Sequence, residues 1–212
     1  MMSRNYIITI GRQLGSGGSA MGRFIADRFG FQYIDKEILV KAGEKLGLSK
    51  ENLELVDEKN SSIWTSLAQT AVPEFPYNSD AWYVPTSRQL FEIQTQIMRE
   101  AVKESSCVII GRCASHLFSG YENHTSIFLQ ADIKSRVARL EKTLGTPIDL
   151  KKERHLIEKE DHERAKYYHT YTGKNWLDLT EYDFVLDTSH FEDWKVEEIL
   201  LHYLCYRFPA LK

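Results

Sequence analysis

An α/β fold with a mostly parallel central sheet and helices on both faces is the architecture this chain predicts. Three observations carry the prediction. Short apolar, β-branched runs recur along the 212 residues, at Tyr6–Ile10, Cys107–Ile110, Ser126–Leu129 and Asp183–Leu186. Stretches with apolar residues at helical spacing lie between them. The first run leads directly into a glycine-rich turn and a helix start, the strand–turn–helix unit from which parallel sheets are built. Strands alternating with helices imply right-handed crossovers. They also bring the polar residues just past the strands to one edge, where such sheets bind ligands.

Each element has its own justification. After the glycine turn, a helix over about Ser19–Phe29 puts Met21, Phe24, Ile25 and Phe29 on one face, and Gly30 ends it. Phe31–Ile34 reads as a short second strand ending at Asp35. Lys36–Leu46 reads as a helix, with a break at Gly47 and a new start at Ser49. Residues 57–87 change character: Pro73, Pro76 and Pro85 break regular structure, while Trp64, Phe75, Tyr77, Trp82 and Tyr83 are too many aromatics for a solvated linker. This is an excursion from the core. Ser87–Glu104 is a long amphipathic helix with Leu90, Ile93, Ile97 and Val102 facing inward. Cys107–Ile110, continuously apolar and closed by Gly111-Arg112, suits an interior parallel strand. Asp132–Leu144 and Asp149–Tyr168 are helices separated by Gly145-Thr146-Pro147, and a helix over about Trp194–Tyr206 closes the chain. We find no repeat and no low-complexity tract.

Composition excludes several classes. Hydrophobic residues at 42% supply a real core, and a formal net charge of -3 argues against a broad nucleic-acid or membrane surface. No apolar run approaches the roughly 18 residues that span a bilayer, and Tyr6–Ile10 is too short for a signal-peptide core. Three cysteines (Cys107, Cys113 and Cys205) without CxxC spacing fit a reduced, cytoplasmic protein.

The chemistry begins in the glycine turn. Free N–H groups and the positive end of a helix dipole converge after a strand and a tight glycine turn, which makes an anion site. The usual phosphate-binding pattern is G-x-x-x-x-G-K-[ST]. Here Gly15-Ser16-Gly17-Gly18-Ser19 stands where G-x-G-K-[ST] is expected, Gly18 holds the lysine position, and the span from Gly11 to Gly17 is one residue longer than the pattern. Ser19 keeps the hydroxyl that holds Mg²⁺ in such loops. The plain alternative is a flexible glycine turn before a helix, and the missing lysine is its best argument.

Phosphoryl transfer needs phosphates held in line and their charge neutralised. Arg112, directly after a buried strand and a glycine, faces the ligand edge, and its planar fork suits phosphate. The segment from Arg154 to Lys166 mixes charges of both signs, which by itself reads as a solvated helix face. Arg164 rises above that reading because Tyr167, Tyr168 and Tyr171 follow it, and Asp161 three residues earlier is placed to orient its guanidinium. Asp35 is a candidate for a nucleoside group or Mg²⁺. His155, His162 and His169 recur at seven-residue intervals, not the i,i+4 spacing of a helical metal pair, so a metal reading is disfavoured.

Four segments together resemble the cytidylate kinase-like family of P-loop nucleoside monophosphate kinase relatives. They are I-T-I-G-R-Q-L-G-S-G-G-S-A-M-G with F-Q-Y-I-D-K-E-I, then C-V-I-I-G-R-C-A, then D-H-E-R-A-K-Y-Y-H-T-Y-T-G-K-N-W, then Y-D-F-V-L-D-T-S, in that order over nearly the whole chain. The resemblance implies a single domain over residues 1–212, a three-layer P-loop NTPase fold with an acceptor-binding insertion and a mobile lid. The core would comprise about 1–56, 88–141 and 171–212, the insertion about 57–87 and the lid about 142–170. It implies ATP-dependent phosphoryl transfer with Mg²⁺ to a nucleoside monophosphate, CMP or dCMP. Arg112 matches the arginine of the family's G-R-D segment, with Cys113 in place of the aspartate. Arg164 matches a lid arginine, with Arg154 and Lys159 as weaker partners. The expected roles are Gly15–Ser19 on the donor phosphates, Ser19 on the metal, Arg12, Arg112 and Arg164 on the transferring group, and Asp35, Arg112 and Asp161 on the acceptor. Arg12, inside the lengthened loop, is expected to supply the charge that Gly18 lacks. Two alternatives stand beside this: a nucleotide-binding regulatory protein without turnover, and a kinase for a different small acceptor.

Overall fold

The computed structural model of the protein describes residues 5–35, 87–145 and 150–212. The expected helix at Lys36–Leu46, the start at Ser49, nearly all of the 57–87 excursion and the Thr146-Pro147 break lie outside them. Residues 1–35 and 100–212 form one compact unit and residues 36–99 another, of which 87–99 are described.

Elements are numbered within the described residues. Strand β1 is Ile7–Arg12, helix α1 Gly18–Phe29 and strand β2 Gln32–Ile34. Helix α2 is Ser87–Glu104, β3 Cys107–Ile110, α3 Ala114–Leu117 and β4 His124–Gln130. Helix α4 is Ile133–Leu144, α5 Leu150–Thr172, β5 Phe184–Asp187 and α6 Asp193–Arg207. The five strands form one sheet in the order β2-β3-β1-β4-β5, and every pairing is parallel. β1 lies at its centre, with Ile8 and Ile10 opposite Val108 and Ile110 on one side and Thr125 and Ile127 on the other.

Central position explains the composition of β1. A strand paired on both edges and covered on both faces has no solvated side, so Ile7, Ile8 and Ile10 are buried. On one face, Ile8, Ile10, Val108, Ile110, Ile127 and Leu129 pack with Met21 and Ile25 of α1 and with Val196, Leu200 and Leu204 of α6. On the other, Phe128 meets Trp176 edge-on at 5.3 Å and Tyr182 at 4.8 Å, and α3 packs on β1. The predicted core positions of α1 divide: Met21 and Ile25 are buried, while Phe24 and Phe29 border the cluster partly exposed.

Several boundaries moved by one to a few residues. β1 runs on to Arg12 because its last two residues still pair with Phe128 and Leu129. α5 continues through Tyr171, past the expected end at Tyr168, until Gly173, whose N–H bonds His169 O at 2.8 Å. Among the described residues no helix is long and apolar enough to cross a membrane.

Candidate functional site

The glycine loop sits at the carboxyl end of β1, and its geometry starts with Arg12, that strand's last residue. From there Gln13 N–H still bonds Leu129 O at 3.0 Å, and its side-chain oxygen accepts from Ala131 N–H at 3.1 Å. The chain then turns through Gly15 and Gly17, at φ 79° and 91°. Gly17 stands at the N-cap of α1, a left-handed position that a β-carbon would strain. It brings no side chain to cap the helix, and the first turn carries no acidic residue. The first-turn N–H groups thus keep their capacity for an anion.

Gly18, the residue at the lysine position, has a different reason to be glycine. A β-carbon there would lie 2.5 Å from Arg12 Cβ and 2.7 Å from Arg12 Cγ. One built on Gly111, at the end of β3, would lie 2.4 Å from Arg12 Nη1. The Arg12 side chain therefore runs across Gly18 and ends against Gly111, in a slot between two glycines. Its Nη2 lies 3.6 Å from Asp35 Oδ1.

Asp35, just past β2, gathers further groups. Its Oδ2 accepts from Tyr33 Oη at 3.0 Å and lies 3.5 Å from Ser19 Oγ. Burial first and then Asp35 push the Tyr33 hydroxyl well above its ordinary value, so it remains a donor. Ser16 is turned inward: its N–H and O–H both go to Gln13 O, at 3.2 and 2.9 Å, and its carbonyl accepts from Thr188 Oγ1 at 3.0 Å.

Arg112 and Cys113 follow Gly111 with φ of 56° and 58°. Two consecutive non-glycine residues in the left-handed region are a strained turn, a feature that functional sites hold at a cost of about 1–3 kcal/mol per residue. The turn aims Arg112 at Tyr167 of α5, 5.9 Å from guanidinium carbon to ring centre, and the two side chains share a hydrogen bond. Cys113 points inward. Burial pushes its thiol up to about 12, against the pull of Arg112, so it is a thiol where the family pattern has a carboxylate.

The contribution of α5 is Asp161 and Arg164. Arg164 Nη1 lies 3.5 Å from Asp161 Oδ1 and 3.4 Å from Arg12 O. Burial and the neighbouring Arg164 together lower the Arg12 pKa to about 10, with Asp35 opposing and Arg112 adding to the depression. Arg12 stays charged at neutral pH. The guanidiniums of Arg12, Arg112 and Arg164 therefore crowd one loop, with Asp35, Asp161 and the buried Glu160 as carboxylates acting on them, and a polyvalent anion answers that arrangement. Arg154 does not join: it makes an exposed i,i+4 pair with Glu158 at 2.8 Å. Lys159 is also exposed.

Arg136 and Arg139 of α4 went unassigned in the sequence. Arg136 donates from Nε to Leu14 O at 2.6 Å and pairs with Asp161. Arg139 bonds Thr188 O at 2.8 Å and Thr188 Oγ1 at 3.1 Å, and pairs with Asp193. A signal for Arg136 existed: it falls on the stripe of Ile133, Val137 and Leu140. An arginine on an apolar stripe is a buried charge and must have a partner.

Comparison with known proteins gives the family. The cytidylate kinase of Methanopyrus kandleri is 28% identical over 209 residues, 94% of this chain and 93% of that protein. That of Pyrococcus abyssi is 26% identical over 184 residues, 86% and 84%. An uncharacterized protein from Eubacterium ventriosum superposes with a TM-score of 0.66 at 21% identity, covering 94% of this chain and 98% of that one. A gluconokinase from Sinorhizobium meliloti 1021 does so at 0.54 and 11%, covering 100% and 97%. These two solved structures speak to the fold alone, an α/β core. The sequence model of the cytidylate kinase-like family matches residues 7–190, and with the glycine loop, the strand-end arginines and the parallel sheet in place, the chain belongs to that family of kinase phosphotransferases.

Proposed function

We propose that this protein transfers a phosphoryl group from Mg·ATP to a nucleoside monophosphate, CMP or dCMP, at the carboxyl edge of its sheet. One observation carries the reading: the Arg12 side chain lies across Gly18, the position where other loops of this kind place their lysine. The charge has moved from the helix start to the strand end, and the loop remains a cationic phosphate cradle.

The geometry supports the following roles. The backbone of Gly15, Gly17, Gly18 and Ser19 wraps the donor phosphates, and Ser16 braces the loop from within. Arg12, Arg112 and Arg164 bind and neutralise the phosphate oxygens as charge redistributes between donor and acceptor. Asp35 holds Arg12 and orients the acceptor side. The Ser19 hydroxyl and the Asp35 carboxylate, 3.5 Å apart, are hard oxygen donors that fit Mg²⁺, which keeps most of its other positions for water and phosphate. When bound, the ion would neutralise charge on the donor phosphates.

The acceptor assignment is supported by the relatives named cytidylate kinase. The insertion at about 57–87 would carry the acceptor and the segment at about 142–170 would act as the lid; three cysteines without CxxC spacing support a cytoplasmic setting. The test is ADP release from Mg·ATP with CMP, dCMP, UMP, AMP and GMP, using Arg164→Ala as control. Turnover with one pyrimidine monophosphate, lost in the control, names the acceptor. ATP binding without turnover on any of them assigns the chain to a different acceptor or to a regulatory role.

A further inference from the structure

Leu14 sits between Arg12 and the glycines, and both polar groups of its backbone are taken by side chains from two different helices. Its N–H donates to Asp161 Oδ1 of α5 at 2.9 Å. Its carbonyl accepts from Arg136 Nε of α4 at 2.6 Å. Arg136 Nη2 and Asp161 Oδ2 are in turn paired with each other, and the two side chains are only 6% and 14% exposed. The four groups close a ring: a residue's N–H and C=O, a guanidinium and a carboxylate. Only a planar fork with Nε–H and Nη–H at fixed spacing can serve the carbonyl and the carboxylate together. Backbone on the loop's inner side is held separately, by Thr188 on Ser16 O.

The same carboxylate reaches further. Asp161 Oδ1 is also 3.5 Å from Arg164 Nη1, which lies 3.4 Å from Arg12 O. One helix thus grips the loop at Arg12 and at Leu14 through adjacent turns. Both oxygens of Asp161 are engaged by protein groups, which leaves it poorly disposed to bind an acceptor hydroxyl or base.

We infer that Asp161 and Arg136 are positioning residues that lock the Leu14 backbone and the Arg164 guanidinium into one frame. Arg164 then stands over the donor phosphates only while α5 is seated on the loop. This rests on the kinase reading above, and it replaces acceptor binding by Asp161 with a role on the donor side. Asp161→Asn would keep an acceptor oxygen for the Leu14 N–H, but it would remove the negative charge and leave Arg136 and Arg164 facing each other. Arg136→Lys would keep the positive charge and lose one of the two donors.

The experiment compares wild type, Asp161→Asn, Arg136→Lys and the double variant. It measures affinity for Mg·AMPPNP by calorimetry, KM for ATP and for the acceptor, kcat, and hydrogen exchange of the Leu14 amide. Each single variant is expected to weaken AMPPNP binding or lower kcat/KM for ATP by about tenfold. Acceptor KM should stay within about twofold, the Leu14 amide should lose protection, and the double variant should be no worse than the more damaged single. A raised acceptor KM with AMPPNP affinity unchanged would overturn the inference and make Asp161 an acceptor ligand. Losses that multiply in the double variant would overturn the shared ring. Should Asp161→Asn fail to fold, Arg136→Lys carries the same test. Absence of turnover in the wild type with every acceptor would refute the kinase reading alone, because AMPPNP affinity and amide exchange judge the ring without turnover.

Discussion

Replacing Gly18 by alanine should cost nearly as much activity as removing Arg12. Alanine is the better helix former by about 1 kcal/mol, so propensity alone forecasts a harmless change. Space forecasts the opposite. The new methyl would stand 2.5 Å from Arg12 Cβ and 2.7 Å from Cγ, against about 3.5–4.0 Å for a comfortable carbon–carbon contact. Overlap of more than about 1 Å with the root of a side chain cannot be relieved by moving its tip, so Arg12 must leave the slot. A charge-assisted hydrogen bond contributes about 1.5–3 kcal/mol. Its loss from the transition state alone lowers kcat about ten- to a hundredfold. The assay is coupled ADP release at saturating ATP and acceptor, with Arg12→Ala in parallel. The double exchange Arg12→Gly/Gly18→Lys empties the slot and offers a lysine from the helix, and it should be more active than either of its single changes. Wild-type kcat in Gly18→Ala would refute the reasoning, as would a double exchange no better than Gly18→Lys.

Three further outcomes are expected. Gly22→Ala should destabilise by about 1–3 kcal/mol in urea unfolding, because its β-carbon would stand 2.4 Å from Ile110 Cδ1 within the packed layer between α1 and the sheet. Thr188→Val should cost about 1–3 kcal/mol in the same measurement: the buried hydroxyl donates toward Ser16 O and receives Arg139, and valine leaves both without it. His124 is buried, bonded to Thr9 Oγ1 at 2.9 Å, and desolvation pulls its pKa from 6.5 down to about 4, with Asp183 opposing and Arg207 reinforcing. The unfolded chain therefore binds a proton that the fold refuses between about pH 6.5 and 4, so stability from this group is complete above that window and falls as pH drops through it. The loss is on the order of 3 kcal/mol, and His124→Gln should flatten that limb of the stability profile.

What the sequence disclosed follows from how local each signal is. Cys107–Ile110 was recognisable to the residue because a fully buried strand is apolar at every position. Ser87–Glu104 was recognisable because its apolar spacing is helical throughout. The glycine loop announced itself through composition, and Asp161 beside Arg164 through helix geometry. The partners of Arg136 stayed hidden because Leu14 and Asp161 are distant in sequence and meet it only when α4 and α5 pack beneath the loop. Tyr33, similarly, looked like strand filler until folding set its hydroxyl on Asp35. The end of α5 was misplaced for another reason: its tyrosines resemble a terminal aromatic cluster, yet Tyr167 and Tyr171 lie one turn apart along the same helix, their rings tilted against each other at 4.7 Å.

The slot that receives Arg12 also makes three positions one heritable unit. Arg12, Gly18 and Gly111 come from a strand end, a helix start and a second strand end, yet a side chain at either glycine would meet Arg12, at its root from Gly18 and at its tip from Gly111. A chain drifting from a helix-borne lysine to a strand-borne arginine would have had to clear Gly18 before it could accommodate the new side chain. The order of substitutions is thereby constrained, with the lysine lost before the arginine is useful. In relatives, an arginine at this strand end should keep company with glycine at both other positions, and a search pattern keyed to the lysine would pass over all of them.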